Sequence, residues 1–395
     1  MTADGAFGYC PAMSRCTPAL AVVLVAVAGC MPTWLLPSRM TRHITAEGPT
    51  KPPAATVSLE AATPPRRPLN VLALSGGGSY GAYTAGILNG WSRSNKRPDF
   101  DVVTGISTGA LIAPLAFLGP RHDDDLRRFY TEIGQADVLK VRVWATIPFR
   151  DSFALNTPLR NLIETNLTDE ILGDIAAEHA KGRRLYVATM NLETRRSVVW
   201  DLGAIASRRT ATSRTLIRDV ILASCSIPGV FPPVSLAVEV NGESKRELHV
   251  DGGVTGPVFV PPGVFEGAAD VKPGTANLYV IIAGKFYPTE AKVKARVFKV
   301  LGASGGAVMH AQIRRDVANL YHMSQLHGVN FHVSALRSDF VALDNGIQFH
   351  PKEMHRLYVE GVRVGFDGDW QSTPPERSPG ETPDIRTVTR LKSAE

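Results

Sequence analysis

Short apolar runs alternate with helix-length segments along most of this chain. Leu69 to Leu74 is an apolar stretch that ends in a glycine cluster and reads as a buried strand. Asp101 to Thr104, Leu185 to Met190, Ser197 to Trp200, Leu278 to Ala283 and Val329 to Val333 read as further strands. Helical spacing predicts helices over 82–91, 108–118, 123–135, 169–181, 212–223 and 352–364. A longer helical stretch, 290–326, is expected to break at Gly302 to Gly306. Strands alternating with helices imply an α/β protein with a mainly parallel sheet covered on both faces.

The two ends follow other patterns. Ala19 to Ala28 is a continuous apolar run preceded by Arg15 and followed by Val27-Ala28-Gly29-Cys30. Its ten residues span only ~15 Å as a helix, short of a bilayer core. A basic region, a short apolar core and small residues at a cleavage point describe a secretory leader. The ending resembles a bacterial lipobox, which makes 1–29 a lipoprotein-type signal peptide and Cys30 a lipidated residue. An ordinary signal peptide or a short anchor is the alternative. Asp4 fits a leader poorly, and Met13 offers a later start. Residues 30–68 are a proline-rich linker and 371–395 a disordered tail, leaving 69–370 as the folded body. Met31 after the cysteine, by resemblance to Gram-negative lipoproteins, directs the protein to the outer membrane if the source has one. Otherwise it is secreted.

Composition narrows the class. Apolar residues at 44% and charged residues at 20% exclude a disordered chain, a collagen-like fibre and a disulfide-stapled miniprotein. A single near-membrane-length apolar run excludes a polytopic membrane protein. The net charge is +6, half of it within the first 68 residues, too little to mark a nucleic-acid footprint. Cys10, Cys16 and Cys30 precede the body, so Cys225 stands alone in it, with no disulfide and no cysteine metal cluster.

The chemistry concentrates in three segments. Gly105-Ile106-Ser107-Thr108-Gly109 is a G-x-S-x-G between a strand and a helix, where a nucleophile elbow belongs. Its glycines leave room for a sharp turn that projects the Ser107 hydroxyl at a helix N-terminus. Ser75-Gly76-Gly77-Gly78-Ser79-Tyr80-Gly81 follows the first strand. Gly76, Gly78 and Gly81 also match G-x-G-x-x-G, but Asp99 and Asp101 sit at the start of the next strand and not at its end, against a dinucleotide site. Free N–H groups beside a serine suit an oxyanion hole better. Asp251-Gly252-Gly253 places a carboxylate on a tight turn after Leu248-His249-Val250, a pattern that a turn-capping aspartate also produces.

In this order, and with Ala223 to Pro233 ahead of the aspartate, the three segments resemble the patatin-like phospholipases over roughly 69–255. The resemblance implies a three-layer fold and a Ser–Asp dyad acyl hydrolase acting on phospholipids or related lipids. Ser107 is then the nucleophile, Asp251 its base, and the amides of Gly76, Gly77 and Gly78 the oxyanion donors, with no cofactor and no metal. Where the family has Arg or Lys before the last loop glycine, this chain has Tyr80. A carboxylate raised in pKa by burial can activate a serine without the family argument.

Alternatives stay open. A Ser–Asp–His triad on an α/β-hydrolase fold needs one of His310, His322, His327, His332, His350 or His355. His249 shares a strand face with Asp251 and reads as a structural histidine or one that tunes the carboxylate. A lipoprotein that only binds acyl chains is the non-enzymatic reading. For the membrane surface, Trp144, Phe149 and Phe153 suggest a lid, an acyl wall or ordinary core. Lys292, Arg296 and Lys299 fall on one helical face beside Val293, Val297, Val300 and Leu301, which suits anionic lipid or a solvated surface.

Overall fold

Five parallel strands run side by side, and the inner ones are buried on both faces. The computed structural model describes residues 69–143, 150–240, 243–268, 274–289, 292–342 and 346–375. One unit, 59–142 with 151–395, carries every element and the site; of the other, 1–58 with 143–150, only Val143 and Arg150 are described. The leader, Cys30, the proline-rich linker, Trp144, Phe149 and the chain beyond 375 lie outside the described residues.

In chain order, β1 (Asn70–Leu74) leads to α1 (Gly81–Arg93) and β2 (Val102–Gly105) to α2 (Thr108–Leu118). Next come α3 (Asp123–Thr131), α4 (Gln135–Val138), the small pair β3 (Lys140–Val141) and β4 (Ala154–Leu155), α5 (Thr157–Asn166) and α6 (Asp169–Ala180). Then follow β5 (Arg184–Asn191), β6 (Arg196–Asp201), α7 (Leu202–Ser207), α8 (Ala211–Ser224), β7 (Val234–Val240) and β8 (Glu243–Asp251). The chain continues through α9 (Pro262–Ala268), β9 (Asn277–Ile282), α10 (Val297–Leu326), β10 (Asn330–Ala335) and α11 (Pro351–Asp367).

The sheet order is β10-β9-β1-β2-β5-β8-β7, with β6 also on β5. The pairs from β10 to β5 are parallel, and β6, β8 and β7 join antiparallel. Side-chain alternation sorts the core into two layers. Leu72, Leu74, Val103, Leu185 and Val187 face the layer built by α1, α2, α3, α8 and α11. Val71, Ala73, Leu278, Val280 and Ile282 face α9 and α10. The expected α/β class, with a mainly parallel sheet between helical layers, is what the chain adopts.

Several expectations shift. The predicted 123–135 helix is two, parted after Thr131, because the Asp137 carboxylate accepts from the Gly134 N–H and starts α4 afresh. Gly302 to Gly306 do not interrupt α10, since glycine keeps its N–H and only weakens a helix. α10 begins at Val297, so Lys292 and Arg296 precede it instead of lying on its face. Gln371, assigned above to the tail, bonds both ways with Val333 and covers the β10 edge. The β7–β8 hairpin, α5, α7 and α9 lie outside the predicted elements, although β7, Val234-Ser235-Leu236-Ala237-Val238-Glu239-Val240, alternates in the strand pattern.

α1 and α11 cross with backbones in contact. A Cβ on Gly86 would meet Tyr358 O at 2.2 Å, and one on Gly90 would meet Val362 O at 2.1 Å. From the other side, Gly361 faces Tyr83 O and Gly365 faces Ile87 O as closely. This interlock fixes α1, whose first residue closes the glycine loop. Gly361→Ala should therefore destabilise the protein by about 1–3 kcal/mol, as overpacking does. Gly173→Ala, in α6 with open space around it, should stabilise by up to about 1 kcal/mol through helix propensity. Urea unfolding of the two variants measures both signs.

Candidate active site

β2 runs into α2 through a turn too tight for side chains on either flank. Ser107 has φ 54° and ψ −122°, a region an L-residue rarely occupies. A Cβ on Gly105 would lie 2.4 Å from Gly109 O, and one on Gly109 would lie 2.5 Å from Leu74 O. Both motif glycines are thus explained by backbone crossings. The strained serine is tied from outside the turn. Its N–H donates to Ser224 Oγ at 3.0 Å, and Ser224 Oγ donates on to Ala188 O at 2.8 Å. The Cys225 thiol, held protonated by burial, donates to Ser107 O at 3.2 Å.

Asp251 ends β8, opposite Thr189 on β5. Its N–H donates to Ser226 O at 2.9 Å, so α8 and the two residues after it support both Ser107 and Asp251. Gly252 lets β8 approach β5, since a Cβ there would sit 2.5 Å from Ala188 O. The Gly253 N–H donates to Asp251 Oδ1 at 2.7 Å, and the nearby Ser107 hydroxyl favours the ionised form of the same carboxyl group. Asp251 is 5% exposed. Burial raises its pKa from 3.8 to about 6, against the opposing pull of the Ser107 hydroxyl and the Gly253 N–H. The aspartate is therefore ionised at neutral pH, yet a far better proton acceptor than an exposed one.

The glycine loop packs directly on the serine: a Cβ on Gly76 would lie 3.2 Å from Ser107 Cβ. Its amides are not equivalent. The Gly76 N–H donates to Pro257 O at 3.0 Å, which removes it from the expected donor set because that proton is already engaged. The Gly77 and Gly78 N–H groups donate to no backbone acceptor among the described residues. The same holds for Thr108, first residue of α2. Gly78 has φ +58°, a turn conformation suited to glycine. Gly81 leaves space for the Thr108 hydroxyl and the Tyr130 ring, whose hydroxyl lies 2.5 Å from Thr108 Oγ1. Burial raises the Tyr130 phenol well above its ordinary range, so it remains a neutral hydroxyl.

An apolar cavity of ≈ 40 Å³ opens beside Ser107, walled by Leu111, Phe129, Leu159, Ile227, Phe231 and Phe349. No histidine lines it, and none bonds Ser107 or Asp251 among the described residues. His249 is fully buried, but its Nδ1 lies 2.8 Å from Thr189 Oγ1 and its Nε2 3.4 Å from Glu247 Oε2. It packs edge-on against Trp200. His310 Nδ1 lies 3.0 Å from Lys285 O, and His332 stacks on Tyr279. His322, His350 and His355 are exposed. No grouping of His, Cys, Asp and Glu among the described residues suits a metal ion. Phe153 is 41% exposed, and Tyr80 rests against Gly346. Sequence reading missed Thr108, Tyr130, Ser224 and Pro257. Of these, Thr108 lies in the G-x-S-x-G and Ser224 in the segment Ala223 to Pro233.

The raised pKa of Asp251 makes stability depend on pH. Folded Asp251 holds its proton to about pH 6, whereas the unfolded side chain releases it near 3.8. Folding thus takes up a proton in that window, and stability falls as pH rises through it. Asparagine does not titrate. The stability of Asp251→Asn minus that of the parent should widen by roughly 1–3 kcal/mol between pH 4 and pH 7. Thermal unfolding at the two pH values measures it, and an unchanged difference would place the folded pKa near its ordinary value.

A family model described as patatin-like phospholipase matches residues 72–262, an interval that contains the glycine loop, the serine elbow and Asp251-Gly252-Gly253. No curated protein matches the chain. Among solved structures, VipD from Legionella pneumophila is similar at 13% identity, covering 78% of this chain and 68% of that one, with a TM-score of 0.39. The type III effector protein ExoU is similar at 14% identity, covering 77% of this chain and 53% of that one, with a TM-score of 0.33. Residues 72–262 are thus a patatin-like phospholipase domain, and the chain is a lipid acyl hydrolase.

Proposed function

We propose that Ser107 and Asp251 form a two-residue catalytic unit that hydrolyses fatty-acyl esters of phospholipids or related lipids. The observation that carries this reading is the strained Ser107 elbow beside a buried Asp251, whose pKa burial raises to about 6. A serine is a weak nucleophile until a base takes its proton. Asp251 accepts that proton as Ser107 Oγ attacks the ester carbonyl. The Gly77, Gly78 and Thr108 amides, which have no backbone acceptor among the described residues, are the donors to the developing oxyanion, each contributing about 3 kcal/mol. Protonated Asp251 returns the proton to the leaving alcohol, and the acyl group stays on Ser107. Water then gives its proton to Asp251 and attacks the acyl-enzyme, releasing the fatty acid and restoring the serine. The apolar cavity beside Ser107 receives the start of the acyl chain. No cofactor enters these steps.

The same proposal includes location. Val27-Ala28-Gly29-Cys30 supports lipid attachment at Cys30, with residues 30–68 as the tether between a bacterial envelope membrane and the domain from 69 to about 370.

Ser107→Ala and Asp251→Asn should each abolish ester hydrolysis in folded protein, to about the same floor, because members of one catalytic unit fail together. No His→Ala variant should reach that floor. In the parent, kcat/KM should rise as Asp251 ionises, with a midpoint near pH 6, and stay level above it. A chromogenic ester assay across the variants and across pH tests all three points. A folded histidine variant as inactive as Ser107→Ala would replace the dyad by a triad.

Cys30→Ser should eliminate incorporation of radiolabelled palmitate and release the protein from the membrane fraction. Unchanged labelling would refute the lipobox reading.

A further inference from the structure

α10 is longer than the body it packs against. Its second half is anchored: Ile313, Val317 and Leu320 are buried in the core layer beneath β9 and β10. His310 Nδ1 lies 3.0 Å from Lys285 O, and Lys285 stands just past the end of β9. His310 therefore marks the carboxyl edge of the sheet. From there α10 runs back antiparallel to the strands and reaches the amino edge, where β10 begins. The stretch Val297–Met309 accordingly projects past the carboxyl edge, by about 20 Å at the helical rise of 1.5 Å per residue. That edge is the one bearing Ser107, since β1, β2 and β9 are parallel and the glycine loop and serine elbow follow the ends of β1 and β2.

Most described residues of the projecting half are exposed, and several are apolar. Val297, Val300, Val308 and Met309 are 38%, 47%, 58% and 53% exposed, as is Val293 at 53% just before the helix. Helical spacing brings Val297, Val300 and Val308 into one stripe. Lys292, Lys294, Arg296 and Lys299 surround its start, all exposed, and none makes an ion pair among the described residues. No acidic residue occurs from Ala291 to Arg315. None of the described helices is long and apolar enough to cross a membrane.

We propose that this arm seats the protein on an anionic bilayer, with the Ser107 edge turned toward the lipid. Four uncompensated cations match a surface of phosphate headgroups, and valine side chains of this reach enter the boundary between headgroup and acyl chain. A second copy of the chain is the poorer occupant, because its arm holds no acidic residue to meet these cations. The orientation rests on the lipid acyl hydrolase reading; the binding itself does not.

Binding is read on the full chain carrying Ser107→Ala and Cys30→Ser, so that neither turnover nor lipidation contributes. The probes are vesicles of phosphatidylcholine with and without phosphatidylglycerol, scored by co-sedimentation. The chain should bind the anionic vesicles and scarcely the neutral ones. Combined Lys292→Glu, Lys294→Glu, Arg296→Glu and Lys299→Glu should weaken that binding at least about tenfold. Val300→Ser with Val308→Ser and Met309→Ser, all at exposed sites, should weaken it as well. With Ser107 restored, both variants should lose hydrolysis of vesicle lipid and keep the parent rate on a water-soluble short-chain ester. Unaltered vesicle binding by the charge-reversed chain overturns the proposal. So does a dimer in light scattering that the valine–methionine variant dissociates while vesicle binding persists, which assigns the arm to self-association. If Ser107 is not the nucleophile, the Ser107→Ala chain hydrolyses like the parent while the binding results stand unchanged.

Discussion

The hydrogen bond from the Ser107 N–H to Ser224 Oγ is the constraint on which the site depends. Ser107 sits in a backbone region that costs an L-residue on the order of 1–3 kcal/mol, and such a residue persists only where its surroundings overdetermine it. Here they do so from three directions. Gly105 and Gly109 permit the turn, Ser224 links its amide to the β5 backbone at Ala188, and the Cys225 thiol bonds its carbonyl. Remove the outside ties and nothing in the pentapeptide itself prefers this conformation over a relaxed one.

The same support places Asp251. Ser226 O accepts from the Asp251 N–H, while Ser224 and Cys225 grip Ser107 two residues earlier. Serine and carboxylate are therefore indexed to one short segment at the end of α8 instead of to two independent loops. Their relative placement is set by a few peptide units. Burial at this junction raises the carboxyl pKa, so one packing arrangement supplies both the positions and the proton affinity. That the environment disfavours the ionised form is a stability sacrificed at the site and recovered in the core around it, as in the α1–α11 interlock.

How far the chemistry could be read in advance follows from the range of the forces involved. Ser107 and its flanking glycines are legible because the clash that requires Gly105 and Gly109 is local. Asp251-Gly252-Gly253 is half legible: the turn is evident, but Gly252 answers to Ala188, distant in sequence. The glycine loop misleads at one position. Gly76 looks the same as Gly77 and Gly78 in the chain, yet its amide meets Pro257 O, brought in from far downstream. His249 lies on the strand face of Asp251 as expected, but a neighbouring strand offers it Thr189 first.

Periodicity and local sterics are properties of adjacent residues, so the sequence by itself determined the α/β class, the strand-to-helix elbow, the central helices and strands, and the positions of the serine and aspartate. Hydrogen-bond partners across the fold depend on which chain segments cross, and a crossing has no signature at either partner alone. Only the tertiary structure decided that Gly76 donates inward, that Tyr130 meets Thr108, that α10 continues through its glycines, and that its basic, apolar end projects from the edge of the sheet where Ser107 lies. The physical reason is the same in each case: these outcomes are competitions between partners, and the competitors are assembled only when the sheet and its two helical layers close.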